Sequence, residues 1–327
     1  MTKLDTYQQV TDSIVAAIEA GTKPWECSWT MGEGGSLVPL RANGQPYRGI
    51  NVLLLWLAAS ANSYRSGRWL TFKQAQALGG KVRKGEKSTR IVFFKTLEVD
   101  ADKAGGDGAG RGEGDEDGKR RVGMLRQYNV FNADQIDGLP SRFAPPVVEL
   151  VAGKERDEAA EAAIRSCGAA IADDGGAQAY YRPDTDSIHL PAFDRFNSVG
   201  GYLATMAHEV MHWTGAPSRL ARFKAGKVAT AEYAFEELVA EIGAAFICAR
   251  LGIAGEHIDN HAAYVEHWLK ALKNDKRAIF RAASLAQAAA DLALANAGEA
   301  TAVDYSPVER PAAAPAVEVR AQLALAL

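Results

Sequence analysis

Residues 207–213 read Ala207-His208-Glu209-Val210-Met211-His212-Trp213, and they lie in a segment, residues 202–214, without proline or glycine. Because an α-helix turns by about 100° per residue, this segment predicts a helix with His208 and His212 one above the other. Two imidazoles at this spacing can bind one tetrahedral Zn²⁺ at Zn–N distances of about 2.0–2.1 Å. Glu209 follows the first histidine, where its carboxylate can reach a water beside the metal and act as a general base. The motif therefore predicts a catalytic zinc site on a helix.

A second helix is predicted downstream, where residues 231–242 read Ala-Glu-Tyr-Ala-Phe-Glu-Glu-Leu-Val-Ala-Glu-Ile. Glu237 and Glu241 share a face of this helix beside an apolar stripe. Catalytic zinc usually has three protein ligands and a water, so a third ligand is needed. The E-x-x-x-E spacing resembles the thermolysin-type zincins, or gluzincins, and this resemblance implies that Glu237 is the third ligand of one Zn²⁺ per chain and that Glu241 orients His208. Glu236, one residue around the helix, is the alternative third ligand.

The bulk composition places few limits on function. The net charge of −3 gives no overall bias toward nucleic acid, and 47% hydrophobic content suffices for buried cores in 327 residues. Cys27, Cys167 and Cys248 lie far apart without a C-x-x-C pair, which is typical of a reducing cytosol. The polar N-terminus carries no secretory signal, and the most apolar run, residues 52–61, is too short to span a bilayer. We therefore expect a soluble, cytoplasmic protein with no membrane partner.

Basic and aromatic residues are concentrated between positions 41 and 95. This stretch contains eleven Lys or Arg residues and one acidic residue, and aromatic residues are interleaved with them. Basic side chains that follow phosphates, with rings on which bases stack, are what sequence-independent binding of single-stranded DNA requires. Trp69, in a short helix predicted to begin at Arg68, is the preferred stacking residue, whereas Trp56 and Phe93 are expected in the core. The predicted DNA contacts are Arg48, Arg68, Trp69, Lys73, Lys81, Arg83, Lys84 and Lys87.

The domain boundaries follow from changes in composition. Residues 98–123 are rich in glycine and acidic residues, so we expect a disordered insertion between two strands of one sheet. A proline-containing linker at 139–150 separates an N-terminal domain, residues 1–138, from a C-terminal domain, residues 151–300, and a disordered tail follows at 301–327. The predicted fold class is α+β with two domains, and the N-terminal domain is expected to bind DNA in isolation.

These features resemble those of one protein family. The basic, aromatic-rich residues 6–138, His208–Trp213 with Thr214-Gly215, Glu236–Glu241 and Asn260–Tyr264 together are similar to the antirestriction protein ArdC family. The resemblance covers roughly residues 6–300. It implies an N-terminal single-stranded-DNA-binding domain joined to a C-terminal zincin-like metallopeptidase domain. It also implies an origin on a conjugative plasmid or mobile element and a role in protecting incoming DNA from host restriction.

Three functions are compatible with the sequence. The first is a DNA-binding zinc metallopeptidase that acts on an unidentified protein substrate, with Tyr264, His261 or His257 as alternative oxyanion partners. The second is a single-stranded-DNA-binding protein whose metal site is structural or catalytically idle, and a closed structural site needs a fourth protein ligand. The third, a nuclease using the same metal, is disfavoured because the sequence contains no Asp/Glu cluster of two-metal character.

Overall fold

The computed structural model describes most of the chain between residues 5 and 297. No helix within the described part combines the length and the apolar character needed to cross a membrane. The predicted tail at 301–327 and residues 144–150 of the predicted linker lie outside it. The described residues are 5–25, 37–100, 119–143, 157–174, 176–223, 230–253 and 262–297, without the side chains of 95–100, 119–124, 230 and 262–264.

Two helices form the apolar side of the N-terminal half. Helix α1, Thr6–Glu19, begins after Asp5, whose side chain accepts a hydrogen bond from the Tyr7 backbone N–H at 2.9 Å. Apolar side chains recur at helical spacing along one face of α1 and are buried. Helix α2, Ile50–Asn62, is apolar over most of its surface and lies within the core.

Strands of the N-terminal half are β1 (Leu40–Arg41), β2 (Arg68–Leu70), β3 (Lys81–Val82), β4 (Thr89–Asp100), β5 (Lys119–Asn132) and β6 (Ile136–Asp137). They form a four-stranded sheet in the order β1-β2-β5-β4 and a separate β3–β6 pair. Strand β1 is parallel to β2, and the other pairs in this half are antiparallel. The helix predicted to begin at Arg68 begins later, at Phe72–Ala77 (α3), because Trp69 and Leu70 pair with β5.

Strands β4 and β5 form a long hairpin. Their register runs from Thr89 opposite Val130 to Asp100 opposite Lys119. The prediction of a disordered insertion at 98–123 is therefore wrong at both ends of that range, because residues 98–100 and 119–123 belong to paired strands. Backbone hydrogen bonds to the partner strand hold these residues regardless of their acidic or glycine-rich composition. Residues 101–118 lie outside the described part of the chain.

The C-terminal half combines a small sheet with long helices. The elements are α4 (Glu158–Arg165), β7 (Ala170–Ala172), β8 (Tyr180–Arg182), β9 (Ser187–His189), α5 (Val199–Thr214), α6 (Thr230–Arg250), α7 (Ala262–Asn274) and α8 (Ala278–Ala293). Strand β9 is central in the sheet, parallel to β7 and antiparallel to β8. Helix α6 packs against both α5 and α8, and these three helices supply most of the core of this half.

The helices of the two halves pack together in one hydrophobic core. Helix α1 packs against α7, and Trp25, which follows α1, meets Trp268 of α7 edge-on with ring centroids 5.5 Å apart. Trp56 of α2 is 1% exposed, as predicted for a core residue, and its ring centroid lies 6.0 Å from that of Phe246 of α6. The N-terminal helices therefore bury their apolar faces against the C-terminal half.

Candidate metal centre

Helices α5 and α6 bring the motif residues together. Ser198 caps α5, and its Oγ accepts a hydrogen bond from the Gly201 N–H at 3.0 Å. Gly243 of α6 lies against Met211 of α5, so closely that a Cβ at position 243 would lie 2.4 Å from the Met211 Sδ. Glycine at this position therefore lets α6 approach α5 at the level of the histidines.

Three donor groups converge between these two helices. The Nε2 atoms of His208 and His212 lie 3.1 Å apart, and oxygens of Glu237 lie 3.6 Å and 3.4 Å from them, respectively. Ligand atoms around a tetrahedral Zn²⁺ are about 3.3 Å apart when the Zn–N distances are about 2.0–2.1 Å, so the spacing fits one ion. All three donor atoms lie within 4.8 Å of one another, and among the described residues no further His, Cys, Asp or Glu joins them.

Carboxylates of α6 also lie against the outer nitrogen of each histidine ring. Glu241 Oε1 lies 3.2 Å from His208 Nδ1, the position that was predicted for it. Glu236 Oε1 lies 3.6 Å from His212 Nδ1. Each imidazole thus has a carboxylate on the side opposite the donor group, an arrangement that fixes the tautomer and the orientation of a metal-binding histidine.

Arg222, in the segment after α5, holds Glu236 in place. Its guanidinium donates to the two Glu236 oxygens at 2.7 and 3.0 Å, to the Met211 carbonyl at 2.6 Å and to Thr214 Oγ1 at 3.0 Å. Because Glu236 is engaged in this buried ion pair, the geometry favours Glu237 as the third ligand. Sequence reasoning missed Arg222, since this residue lies outside the helices, its carboxylate partner is on α6 and no periodic pattern joins the two.

Burial and the neighbouring carboxylates have opposite effects on the pKa values of the histidines. Burial lowers the pKa of His212, but Glu236 and Glu237 raise it by more than burial lowers it. The resulting pKa of His212 is about 9. Burial likewise disfavours charge on His208, yet Glu237 and Glu241 bring its pKa well above the usual value. Burial raises the pKa of Glu237, and the two histidines lower it to well below its usual range. A divalent cation must displace protons from these rings, so its affinity falls as the pH falls.

Glu209, the predicted general base, lies on α5 beside the donor group. Its side chain is 8% exposed. Its negative charge contributes to the raised pKa of both motif histidines. The alternative oxyanion partners are untested, because the described part of the chain does not include His257, His261 or the side chain of Tyr264.

The predicted DNA contacts divide into engaged arginines and exposed lysines. Arg48 forms an ion pair with Asp291 of α8. Arg83 forms one with Glu86 at 2.7 Å. The Arg68 guanidinium is half-buried beside an aromatic ring, and burial lowers its pKa. The lysines are exposed: Lys73, Lys81, Lys84 and Lys87.

The prediction that Trp69 stacks on DNA bases is wrong. Its side chain is 1% exposed and packs edge-on against Tyr64, with ring centroids 5.9 Å apart. Trp69 belongs to the main hydrophobic core, whose side chains cover the ring. The prediction that Phe93 lies in the core is also wrong, because this residue of β4 is 51% exposed.

Two family models and several known proteins match the chain. The N-terminal domain of anti-restriction factor ArdC matches residues 4–131, and a zincin-like metallopeptidase family matches residues 158–285. The chain is 42% identical over 293 residues to the uncharacterized protein y4eC of Sinorhizobium fredii, and this match covers 89% of this chain and 92% of y4eC. It is 40% identical over 296 residues to DNA primase TraC of Escherichia coli, and this match covers 88% of this chain and 27% of TraC.

Solved structures of antirestriction ArdC from the R388 plasmid are also similar. The metal-free crystal structure is 46% identical, has a TM-score of 0.75 and covers 90% of this chain and 98% of that chain. The Mn(II)-bound crystal structure is 46% identical, has a TM-score of 0.73 and covers 90% of this chain and 99% of that chain.

The fold and the matches define an α+β protein in which a zincin-like metallopeptidase domain follows an ArdC-type N-terminal domain. The predicted fold class and two-domain architecture are confirmed. The chain belongs to the ArdC family of antirestriction proteins, as the sequence motifs predicted.

Proposed function

We propose that this ArdC family member is a zinc-dependent metallopeptidase that binds single-stranded DNA and protects the incoming DNA of a mobile element from host restriction. The observation that carries the proposal is the convergence of donors from His208, His212 and Glu237 within 4.8 Å. Its relatives supply the context, since R388 ArdC is an antirestriction protein of a plasmid. Two buried free cysteines, Cys167 and Cys248, fit the reducing cytoplasm as its location.

The donor chemistry favours Zn²⁺ as the resident cation. Two imidazole nitrogens and one carboxylate oxygen form a ligand set that zinc takes in catalytic sites. Mn²⁺ prefers sites richer in carboxylate, carbonyl and water oxygens. Because R388 ArdC has a Mn(II)-bound crystal structure, Mn²⁺ is the competing ion.

The chain's own residues have separate roles in peptide hydrolysis. His208 Nε2, His212 Nε2 and Glu237 would hold the cation, which when bound polarises a peptide carbonyl and acidifies water. Glu209 accepts the proton of the attacking water and delivers it to the departing amine nitrogen. The carboxylates of Glu241 and Glu236 lie beside Nδ1 of His208 and His212, at 3.2 and 3.6 Å, and favour the proton on Nδ1, so that both Nε2 lone pairs face the donor group.

The number of protein donors separates this function from the alternative. A structural zinc site is closed by four protein ligands, whereas a catalytic site has three and an open position. The described residues supply three donors. This count supports a catalytic site over the alternative, a single-stranded-DNA-binding protein whose metal site is structural or idle.

The DNA half of the proposal rests on the type of N-terminal domain and on exposed charge. Lys81, Lys84 and Lys87 are exposed around one turn between β3 and β4. Lysine contacts to phosphates carry no sequence information, so binding is proposed to be sequence-independent. Oligonucleotides of equal length and different sequence should therefore bind with similar affinity and the same salt dependence.

Glu209→Gln tests the catalytic role. The variant should keep its metal and its DNA affinity but lose protection of DNA entering a restricting host, because a general base contributes about 10²–10⁴-fold to rate. Protection is measured as the ratio of transfer into restricting and non-restricting recipients. The matched control is Glu266→Gln, an exposed glutamate on α7. If Glu209→Gln protects as well as wild type, the idle-site alternative is favoured.

A further inference from the structure

The β4–β5 hairpin leaves the core abruptly after residue 92. Ile91 and Val92 are 9% and 6% exposed, and the Asn51 side chain bonds both backbone groups of Val92, at 2.8 and 2.9 Å. The next two residues, Phe93 and Phe94, are 51% and 59% exposed. Strand pairing nevertheless continues to Asp100 opposite Lys119. The hairpin therefore carries exposed aromatic residues directly after its last buried residues.

Two of these rings form a cluster with an arginine on one face. Phe93 is directly opposite Arg126, so their side chains share a face of the hairpin. Tyr128, two residues from Arg126, lies on the same face and is 44% exposed, and its ring meets that of Phe93 at 6.2 Å, edge to face. Of the six large hydrophobic side chains that are exposed in the described part of the chain, three are on this hairpin: Phe93, Phe94 and Tyr128.

The charge of the hairpin complements a nucleic acid. Among the described side chains of the hairpin, Arg90 and Arg126 are basic and exposed and none is acidic, whereas the whole chain has a net charge of −3. Lys84 and Lys87, both exposed, lead directly into β4. Exposed rings among basic residues are the combination that binds unpaired bases and their phosphates.

We propose that Phe93 and Tyr128 form the base-stacking surface of the single-stranded DNA site and that Arg126 binds an adjacent phosphate. This inference rests on the proposed DNA binding. It places base stacking on the hairpin, whereas the sequence analysis predicted Trp69 as the stacking residue. An unpaired base offers its π-face to a ring, whereas a base in a duplex is stacked on both sides. The surface therefore selects single strands.

The test uses the full chain with Phe93→Leu and Tyr128→Leu, singly and together, and a labelled oligo-dT. Leucine keeps the apolar bulk and removes the π-face. Each substitution should weaken binding by about 5- to 150-fold, the equivalent of one stacked base, and should leave the salt slope unchanged. Arg126→Gln should make that slope shallower by about 0.7, the loss of one phosphate contact. Phe93→Trp should retain affinity.

The control is Tyr233→Leu, because Tyr233 of α6 is 46% exposed and lies outside the hairpin. Melting curves identify any variant that is unfolded rather than impaired in binding. If wild type binds oligo-dT and the double leucine variant binds equally well, the stacking role of Phe93 and Tyr128 is wrong, while the proposed DNA binding stands. An exposed apolar surface that tolerates leucine would then fit a protein partner. If wild type itself does not bind, both the surface and the proposed DNA binding fail.

Discussion

The orientation of His212 depends on a residue outside the predicted ligand group. Glu236 lies at the outer nitrogen of the ring, and Arg222 fixes Glu236 through a buried ion pair whose side chains are 4% and 12% exposed. A ring oriented in this way would present its Nε2 atom to a bound cation. Single-residue changes at 236 and 237 should therefore have different effects.

Glu236→Gln should weaken Zn²⁺ binding by about 10- to 100-fold, because it removes the negative charge that orients His212. Glu237→Gln removes a ligand and should weaken binding further. Dissociation constants come from competition with a chelator, with Glu266→Gln as the control. Urea unfolding of the metal-free proteins is measured in parallel, because Arg222 loses its carboxylate partner. A larger loss at Glu236 than at Glu237 would make Glu236 the third ligand.

Trp69 shows where residue-level prediction failed. Its neighbour Arg68 and the basic surroundings suggested an exposed ring, but its burial follows from the pairing of β2 with the distant strand β5, in which Trp69 lies opposite Asn132. Trp69→Ala should cost about 3–5 kcal/mol of unfolding free energy, as expected for a core ring. Urea unfolding measures the loss. A nearly unchanged stability, accompanied by weaker DNA binding, would restore Trp69 to the DNA site.

At the scale of elements, the metal centre depends on how closely α5 and α6 pack. Gly243→Val should push the helices apart at Met211, costing about 1–3 kcal/mol of stability and weakening metal binding, because the histidines and Glu237 lie on different helices. Adding Met211→Ala to Gly243→Val should recover part of the metal affinity by making space. If the two effects on metal affinity simply add, the close approach at Gly243 does not control the site.

Some elements could be predicted from sequence and others could not. Helices α5 and α6 have long stretches without glycine or proline around the motif, and their histidines and glutamates recur at helical spacing, so the approximate site followed from periodicity. Strands β1, β2, β3 and β6 are two or three residues long and exist only through pairing with distant segments. The hairpin ends were missed for the same reason, since their pairing, not their composition, makes them strands.

At the scale of the whole molecule, the two halves are joined by a shared core. Trp25 packs on Trp268, and the Leu37 N–H donates a hydrogen bond to the Ala249 carbonyl at 2.7 Å. An isolated fragment of residues 1–138 would expose these surfaces to water. The sequence-based expectation that this fragment functions alone therefore conflicts with the packing of α1 and α2.

We expect the 1–138 fragment to aggregate or to melt without cooperativity, because the apolar faces of α1 and α2 lose their partners. The full chain should unfold cooperatively under the same conditions. Light scattering and thermal denaturation monitored by circular dichroism distinguish the two. A monomeric fragment with a cooperative transition would show that the N-terminal half folds independently.

The proposed activity of the whole molecule depends on one Zn²⁺ held by His208, His212 and Glu237, with Glu209 beside the ligands but not among them. The most direct measurement is the metal content, by mass spectrometry, of wild type, His208→Ala and Glu209→Gln purified under zinc-replete conditions. We expect about one zinc per chain in wild type and in Glu209→Gln, and almost none in His208→Ala. A metal-free wild type, or a His208→Ala protein with the wild-type zinc content, would contradict a zinc site at these residues.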